Sequence, residues 1–474
     1  MSLSRDSRIV LIRHMENTYA DITIHPLNER SIPTIRSGVP IYYVTQRPGI
    51  DSRNDIYLFP FILNEDGSPW KEANLFLFTS LIEGRKGFSD SNSVRMKARM
   101  LLDYKLYCEN NAIDIFDFSG RKPQRPTYRY FTHLLEKYKS GMLQRRVLNK
   151  KTKVVYDFYK HLSMQNRSEI EIERVDTVES IKLYLKDSHG HTYTVQKEKR
   201  WQTVPECHQS KPTPIGFVRE YGEDLRPLNA SELELLIDVL ESDVFAVDER
   251  LIHYIALHTG ARKQSILTMR MKHLKCFTAN NVLSDGTYIV HAGPGTGIDT
   301  KFNKKQALYF PNKLAENIVV YAKSKKASDR RNKFISKHGK LISDDDMYVF
   351  LSPEGEPHYM AKDDPRYKTT KSRQQGRNTY YMKTKLFKNI DICFPRDFTF
   401  HWLRATFALH YYRWLQPLIV KGYATDGDII SLVQKRLHHS DRKTTEHYLK
   451  LFDSVSDRLV AQKIYEERVL NLFD

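Results

Sequence analysis

The chain opens with three short apolar runs, Ile9–Ile12, Ile41–Val44 and Ile56–Leu63, set among Pro, Gly and polar residues. Runs of that length predict irregular or strand-containing structure over residues 1–69. The pattern then turns helical. Leu75, Phe78, Leu81 and Ile82 recur at a 3.6-residue spacing, as do Met96, Met100, Leu101 and Tyr104, and further helices are expected over Tyr128–Tyr138 and Val154–Met164. In Ile170-Glu-Ile-Glu and Ile181-Lys-Leu-Tyr-Leu apolar and polar positions alternate, and Asp187-Ser-His-Gly and Tyr193-Thr-Val follow. A hairpin-like strand region is the reading for that stretch.

Pro205, Pro212 and Pro214 mark a linker after Thr203. Beyond it, Asn229 with Glu232 three residues on forms a capping box ahead of a stripe of Leu233, Leu236, Ile237 and Leu240. A helix over Val247–His258 stops at Gly260, a residue suited to a left-handed helix end. Strand signals at Tyr288–Val290 and Ala307–Phe310 are followed by mainly helical sequence. The expected organisation is an N-terminal region (1–69), a helical domain with a strand-containing insertion near 168–200 (70–202), a linker (203–224) and a final mixed domain (225–474). The fold class is mainly α with small β-sheets, α+β.

Charge sharpens this picture. Lys and Arg number 75 against 57 Asp and Glu, a formal net charge of +18 spread along the chain. Such an excess favours a polyanionic partner through counterion release. Within the helical domain the basic clusters Arg121–Lys122, Arg125–Arg129 and Arg145–Lys153 lie close to aromatic residues, which suits backbone contact with DNA. Cys108, Cys207, Cys276 and Cys393 are far apart without a CxxC pair, so they read as reduced thiols. No run is long enough for a secretory core or a membrane span, and an intracellular, cytoplasmic protein is expected.

Six residues of the last domain share a chemistry. Arg262 sits in Thr259-Gly-Ala-Arg262, Lys301 precedes the second strand signal, His401 and Arg404 form His-Trp-Leu-Arg, and His439 and Tyr448 stand nine residues apart. A helix brings positions three apart onto one face, so His401 and Arg404 can line one cleft. Two guanidinium forks suit a phosphodiester, and fixed positive donors stabilise a phosphorane more than its ground state. A tyrosine can attack phosphorus and conserve the bond energy as an ester, while a lysine can supply the proton the expelled oxygen needs.

The order and surroundings of these residues resemble the tyrosine recombinase (phage integrase) family. That family shows TGxRxxE, a hairpin lysine, HxLR and LGHxxxxTTxxY; here the segments read TGARKQS, TKFNKK, HWLR and LHHSDRKTTEHY, over roughly Leu225–Phe452. The resemblance implies Tyr448 as the nucleophile of a 3′-phosphotyrosyl bond, and Arg262 and Arg404 as clamps on the scissile phosphate. It implies Lys301 as the acid for the 5′-oxygen, His401 as an aid to proton transfer from the tyrosine, and His439 as a hydrogen-bond donor to the phosphate. It also implies no cofactor and no metal, double-stranded DNA held in a C-shaped clamp of two domains, and a homotetramer on synapsed DNA, with accessory proteins left open. Residues 455–474 carry an amphipathic pattern whose docking, on its own or a neighbouring protomer, stays open.

The chain departs from the family pattern at several points. Ser265 stands where the family has an acidic residue, and His438 replaces the glycine before the histidine. The interval from Arg404 to His439 is longer than usual, with Gln416–Asp428 as the insert, and Lys304 or Lys305 could replace Lys301.

Other readings weigh less. Gly293-Pro-Gly-Thr-Gly297 lacks a sixth-position glycine and reads as a hairpin loop. The acidic runs Asp344–Asp346 and Asp363–Asp364 read as solvated loops, and the histidines show no zinc spacing. A type IB topoisomerase, or a DNA-binding protein on an inactive recombinase fold, are the competing functions.

Overall fold

The computed structural model describes residues 4, 7–15, 18–24, 42–48, 55–83, 91–165, 170–186, 192–205, 217–220, 223–439 and 445–446. It divides into two units, 1–208 and 209–474. Helices dominate both, and among the described residues the strands form two-stranded antiparallel pairs. The α+β expectation holds.

In the first unit, β1 (Ile9–Met15) pairs with β4 (Ile56–Ile62), from Ile9↔Ile62 to Met15↔Ile56, and β2 (Thr18–Ile24) pairs with β3 (Tyr42–Pro48). Phe59 and Ile62 share one apolar core with α1 (Lys71–Glu83), α2 (Ser91–Asn110), α3 (Pro126–Lys139) and α4 (Arg145–Met164). Asn74 decides how α1 lies on that sheet. Its side chain accepts from the Ile62 N–H at 2.7 Å and donates to the Ile62 carbonyl at 2.9 Å. The face turned inward is therefore Ala73, Phe76, Leu77 and Leu81, and Leu75 and Ile82 of the expected stripe stay 45% and 44% exposed. On α2 the expected Met96 is likewise exposed, while Val94, Ala98, Leu101, Tyr104 and Cys108 are buried.

Arg8 is itself buried and fastens β1 to α2. Its guanidinium reaches Glu109 at 2.5 and 2.9 Å and the Leu63 carbonyl at 3.0 Å. The Ile170-Glu-Ile-Glu segment is not a strand; Ile172–Val175 forms a short helix, α5, with Ile170 and Val175 plugged into the core. Period alone cannot separate helix from strand over four residues. The hairpin that follows, β5 (Val178–Lys186) and β6 (Thr192–Arg200), runs in register from Val178↔Arg200 to Lys186↔Thr192. Buried bonds close its base: Gln202 donates to the Val175 carbonyl at 2.7 Å, and so does the Thr127 hydroxyl at 2.6 Å.

The second unit begins with the short pair β7 (Val218–Glu220) and β8 (Glu223–Leu225). α6 (Ala230–Glu241) carries the expected capping box, the Asn229 side chain accepting from the Glu232 N–H at 2.8 Å. Leu236 and Leu240 are buried, but Ile237 of the expected stripe faces outward. At the centre α7 (Val247–Thr259) packs against α12 (Trp402–Val420), and α12 against α13 (Asp426–Leu437). The hairpin of β9 (Thr287–Ala292) and β10 (Gln306–Pro311) lies on α7, followed by α9 (Asn312–Lys323). The insert at Gln416–Asp428 is the last turn of α12, a bend, and the first turn of α13.

A smaller core of Phe334, Met347, Tyr348 and Leu351 sits beside α10 (Lys325–His338), ahead of α11 (Asn378–Asn389). Arg330 joins it to α7 by donating to Asp248 at 2.7 Å and to the Leu351 carbonyl at 2.6 Å. The acidic runs differ from one another. Asp345 and Asp346 are exposed partners of Lys275 and Lys272, whereas Asp364 is buried, accepting from the Tyr348 hydroxyl at 2.8 Å and from Arg366. Asp364 is thus a core ion-pair member, not a solvated loop residue: an unpaired carboxylate there would cost too much.

Candidate active site

Three helix ends build the site. α7 stops at Gly260 with φ 63° and ψ 13°, as the sequence predicts. A Cβ at Gly260 would lie 2.5 Å from Phe407 and 3.1 Å from Leu437, so glycine is required both for the turn and for the approach of α12 and α13. The chain leaves this turn through Ala261 to Arg262, whose extended backbone starts α8 (Lys263–Leu267).

α12 starts at Trp402 behind His401, and Arg404 lies one turn in, 3% exposed. Its guanidinium donates one nitrogen to the Gly260 carbonyl and the other to the Leu437 carbonyl. One side chain thus satisfies the last carbonyls of both α7 and α13, which would otherwise be orphaned. It also fixes the Arg262 turn against the His438–His439 turn. The half-buried His401 precedes Arg404 on the same helix turn, its carbonyl accepting from the Arg404 N–H at 3.1 Å.

α13 is capped at its start by Thr425 and Asp428 and ends at His438, which has φ 52° and ψ 39°. That is the left-handed position where the family pattern has glycine, which explains why a residue change there leaves the turn in place. The His438 Nε2 lies 2.8 Å from the Ala307 carbonyl on β10, so Nε2 carries the proton and donates. Burial pushes this imidazole below its ordinary pKa, and the charges of Arg404, Arg262 and Arg436 add to the effect, against the carbonyl. His439 is buried with Nδ1 3.0 Å from the Thr445 hydroxyl, and its carbonyl accepts from Gln434 at 3.1 Å. His438 is therefore a structural cap, and His439 is the histidine tied to the segment leading toward residue 448. Tyr448 itself, and the helix expected over 455–474, lie outside the described residues.

Lys301 stands in a single-turn segment just before β10, with Phe302 and Asn303 at φ 59° and 57°. Thr300 is buried and its hydroxyl donates to the Lys304 carbonyl at 2.5 Å. The Lys301 ammonium lies 5.3 Å from the Phe302 ring, while Lys304 and Lys305 point to solvent. The Gly293–Gly297 stretch is the loop between β9 and β10 as expected, with Gly293 at φ 118° and no room for a Cβ beside the Lys304 carbonyl at 2.7 Å. Ser265 does not replace an acid in kind: it is buried and donates to the Asp299 carbonyl at 2.9 Å.

Sequence reasoning passed over the cap role of His438, the Thr445 bond to His439, and Arg436. The Arg436 guanidinium lies 3.4 Å from the centre of the Tyr309 ring and 3.0 Å from Asp285. Only the glycine-to-histidine change hinted at the first. The Arg404 bonds thus bring together the turns that carry Arg262 and His439, a grouping of cationic and hydrogen-bonding residues suited to a phosphodiester, and the Lys301 turn is anchored to α8 through Asp299 and Ser265. No group of three or more metal-ligating side chains occurs among the described residues, and none of the described helices is long and apolar enough to cross a membrane.

Residues 226–454 match the phage integrase family. Structures of the Tn1549 transposon integrase in complex with transposon right end DNA and with circular intermediate DNA align with 78% of this chain and 93% of theirs. Identity is 14% and 16%, with a TM-score of 0.38 in both cases. At that level the likeness adds no weight, and the assignment rests on the family match and the motif residues. No curated protein matches the chain. The second unit is a DNA strand-transfer domain. It belongs to the phage integrase family, and the protein is a site-specific tyrosine recombinase.

Proposed function

We propose that the protein cleaves and rejoins double-stranded DNA with Tyr448 as the nucleophile. Attack on the scissile phosphorus forms a 3′-phosphotyrosyl bond and expels the 5′-oxygen of the next nucleotide, which takes a proton from Lys301. Arg262 and Arg404 neutralise the phosphorane, His439 donates a hydrogen bond to it, and His401 assists proton transfer from the tyrosine. The reverse attack by a 5′-hydroxyl of a new partner releases Tyr448 and joins the strands. The covalent ester conserves the bond energy, so no nucleotide cofactor is called for.

The observation that carries this reading is the placement of Arg404. Its two bonds to Gly260 and Leu437 tie the Arg262 turn to the His439 turn. Most affinity would come from phosphate contacts by the basic helices Pro126–Lys139 and Arg145–Met164 and by the basic residues of the second unit. The working form would be a homotetramer on two duplexes inside the cell, where light scattering of the synapsed complex should give four copies.

Covalent trapping tests the chemistry. Protein is mixed with labelled duplexes from DNA flanking its own gene, nicked near candidate sites so that religation fails, and read on a denaturing gel. A slow, protease-sensitive adduct is expected with wild type and not with Tyr448→Phe. An adduct that persists in Tyr448→Phe would refute the nucleophile.

A further inference from the structure

The acidic residue that the family pattern puts at position 265 is missing, and the serine that stands there bonds instead to an acidic residue of the hairpin, Asp299. Asp299 stands two residues before Lys301 and is gripped by α8, the helix that Arg262 starts. Its backbone N–H donates to the Thr268 hydroxyl at 2.9 Å, and that hydroxyl donates on to the Gln264 carbonyl at 2.8 Å. Its carbonyl accepts from the Ser265 hydroxyl at 2.9 Å. Its carboxylate accepts from the Lys362 N–H at 3.1 Å and from the Gln264 side chain. Two residues of α8, the Thr268 that ends it and a residue of a distant loop therefore hold a single residue ahead of the hairpin strand.

The grip passes directly to the lysine. Thr300, buried, is locked by its bond to the Lys304 carbonyl, and Lys301 follows in a turn whose next two residues have positive φ. A side chain on such a turn points where the preceding backbone sends it. Arg262 and Lys301 are thereby set at a fixed separation through backbone and hydroxyl bonds.

We infer that Asp299, clasped by Gln264, Ser265, Thr268 and Lys362, is the positioning residue that aims Lys301 at the leaving 5′-oxygen. The inference rests on the reading of Lys301 as the proton donor. Asp299 touches no reacting atom. Misplacing an acid by about 1 Å costs about a hundredfold in rate, so a loosened clasp should be felt in the chemical step and not in DNA affinity.

The test compares ordinary duplexes with duplexes carrying sulfur in place of the bridging 5′-oxygen at the cleavage site. A thiol is far more acidic than an alcohol, so the sulfur departs as a thiolate and needs no proton donor. With oxygen DNA, adduct formation should be about tenfold to a hundredfold slower in Asp299→Ala than in wild type. With sulfur DNA the two rates should match within about threefold, and DNA binding should be equal throughout. Asp299→Asn keeps one oxygen that can accept from the Lys362 N–H and offers an NH2 that the Gln264 amide can turn to accept from, so it should recover most of the rate on oxygen DNA. Should Asp299→Ala fold poorly, Thr268→Val removes one bond of the same clasp and is expected to show the same pattern.

Equal slowing of Asp299→Ala and Thr268→Val on both DNAs, or no slowing on either, would overturn the inference. Lys301→Ala keeps the two ideas apart. If Lys301→Ala is rescued by sulfur and the Asp299 and Thr268 variants are not, the clasp is wrong and the lysine right. If Lys301→Ala itself is not rescued, the reading of Lys301 fails and takes the inference with it.

Discussion

At the scale of single residues, Arg404 and the two histidines after α13 give the sharpest expectations. The buried Arg404 fork bridges two carbonyls, a geometry that an ammonium cannot reproduce. Arg404→Lys should keep the positive charge yet form adduct on nicked duplexes about 10²–10³-fold more slowly, while DNA binding in a gel shift changes little. His438 and His439 should separate cleanly. His438→Gly loses a bond to Ala307, which costs about 1 kcal/mol, and relieves a left-handed residue, which returns a similar amount. Its adduct rate should stay within about threefold of wild type, whereas His439→Ala should fall at least about tenfold. The reverse ranking in the same assay would make His438 the phosphate-contacting histidine. Gly260→Ala meets both a positive φ and the Phe407 ring, so urea unfolding should show a loss of about 2 kcal/mol or more.

At the scale of elements, what could be read from the sequence follows from how local each signal is. The Asn229–Glu232 box and the Gly260 stop are decided within four residues, and both stand where the pattern puts them. The helix faces are less local. α1 is apolar on several sides, and which side turns inward depends on Asn74 meeting Ile62, a contact absent from any window of the helix. Leu75, Ile82, Met96 and Ile237 therefore fit the apolar period yet face solvent. In the site, the pairs His401–Arg404 and the turn at His439 are legible because each sits on one segment. The Asp299–Thr268 clasp is not, since it joins a backbone N–H to a hydroxyl from another element and imposes no residue pattern. The same holds for Arg8, which ties β1 to α2 across about a hundred residues. Arg8→Met should leave Glu109 without its bidentate partner and destabilise the first unit by about 2–3 kcal/mol. Thermal unfolding followed by circular dichroism measures this, and an unchanged first-unit transition would mean that β1 is dispensable to that core.

At the scale of the whole molecule, two units with separate cores should unfold as two transitions, and their histidines should tell them apart. In the second unit, burial lowers the pKa of His253, His258, His273, His410 and His438, and that of His358 falls to about 4. In the first unit, burial lowers that of His133. An imidazole that stays neutral in the folded unit binds its proton more readily once the chain unfolds. The stability it contributes is fully present above the ordinary histidine value of about 6.5 and is lost as pH falls toward the lowered one. For His358 the loss by about pH 5 is on the order of 2 kcal/mol, worth several degrees for a unit of this size. Scanning calorimetry at about pH 7.5 and pH 5 should show the second-unit transition moving down further than the first, with His358→Gln recovering part of the difference. Equal movement of both transitions, or no effect of His358→Gln, would show that carboxylates and not these buried rings govern the acid limb. A larger shift in the second unit would place the acid-sensitive element of the enzyme in the same fold that carries its chemistry, so that adduct formation should fail in mild acid before the first unit unfolds.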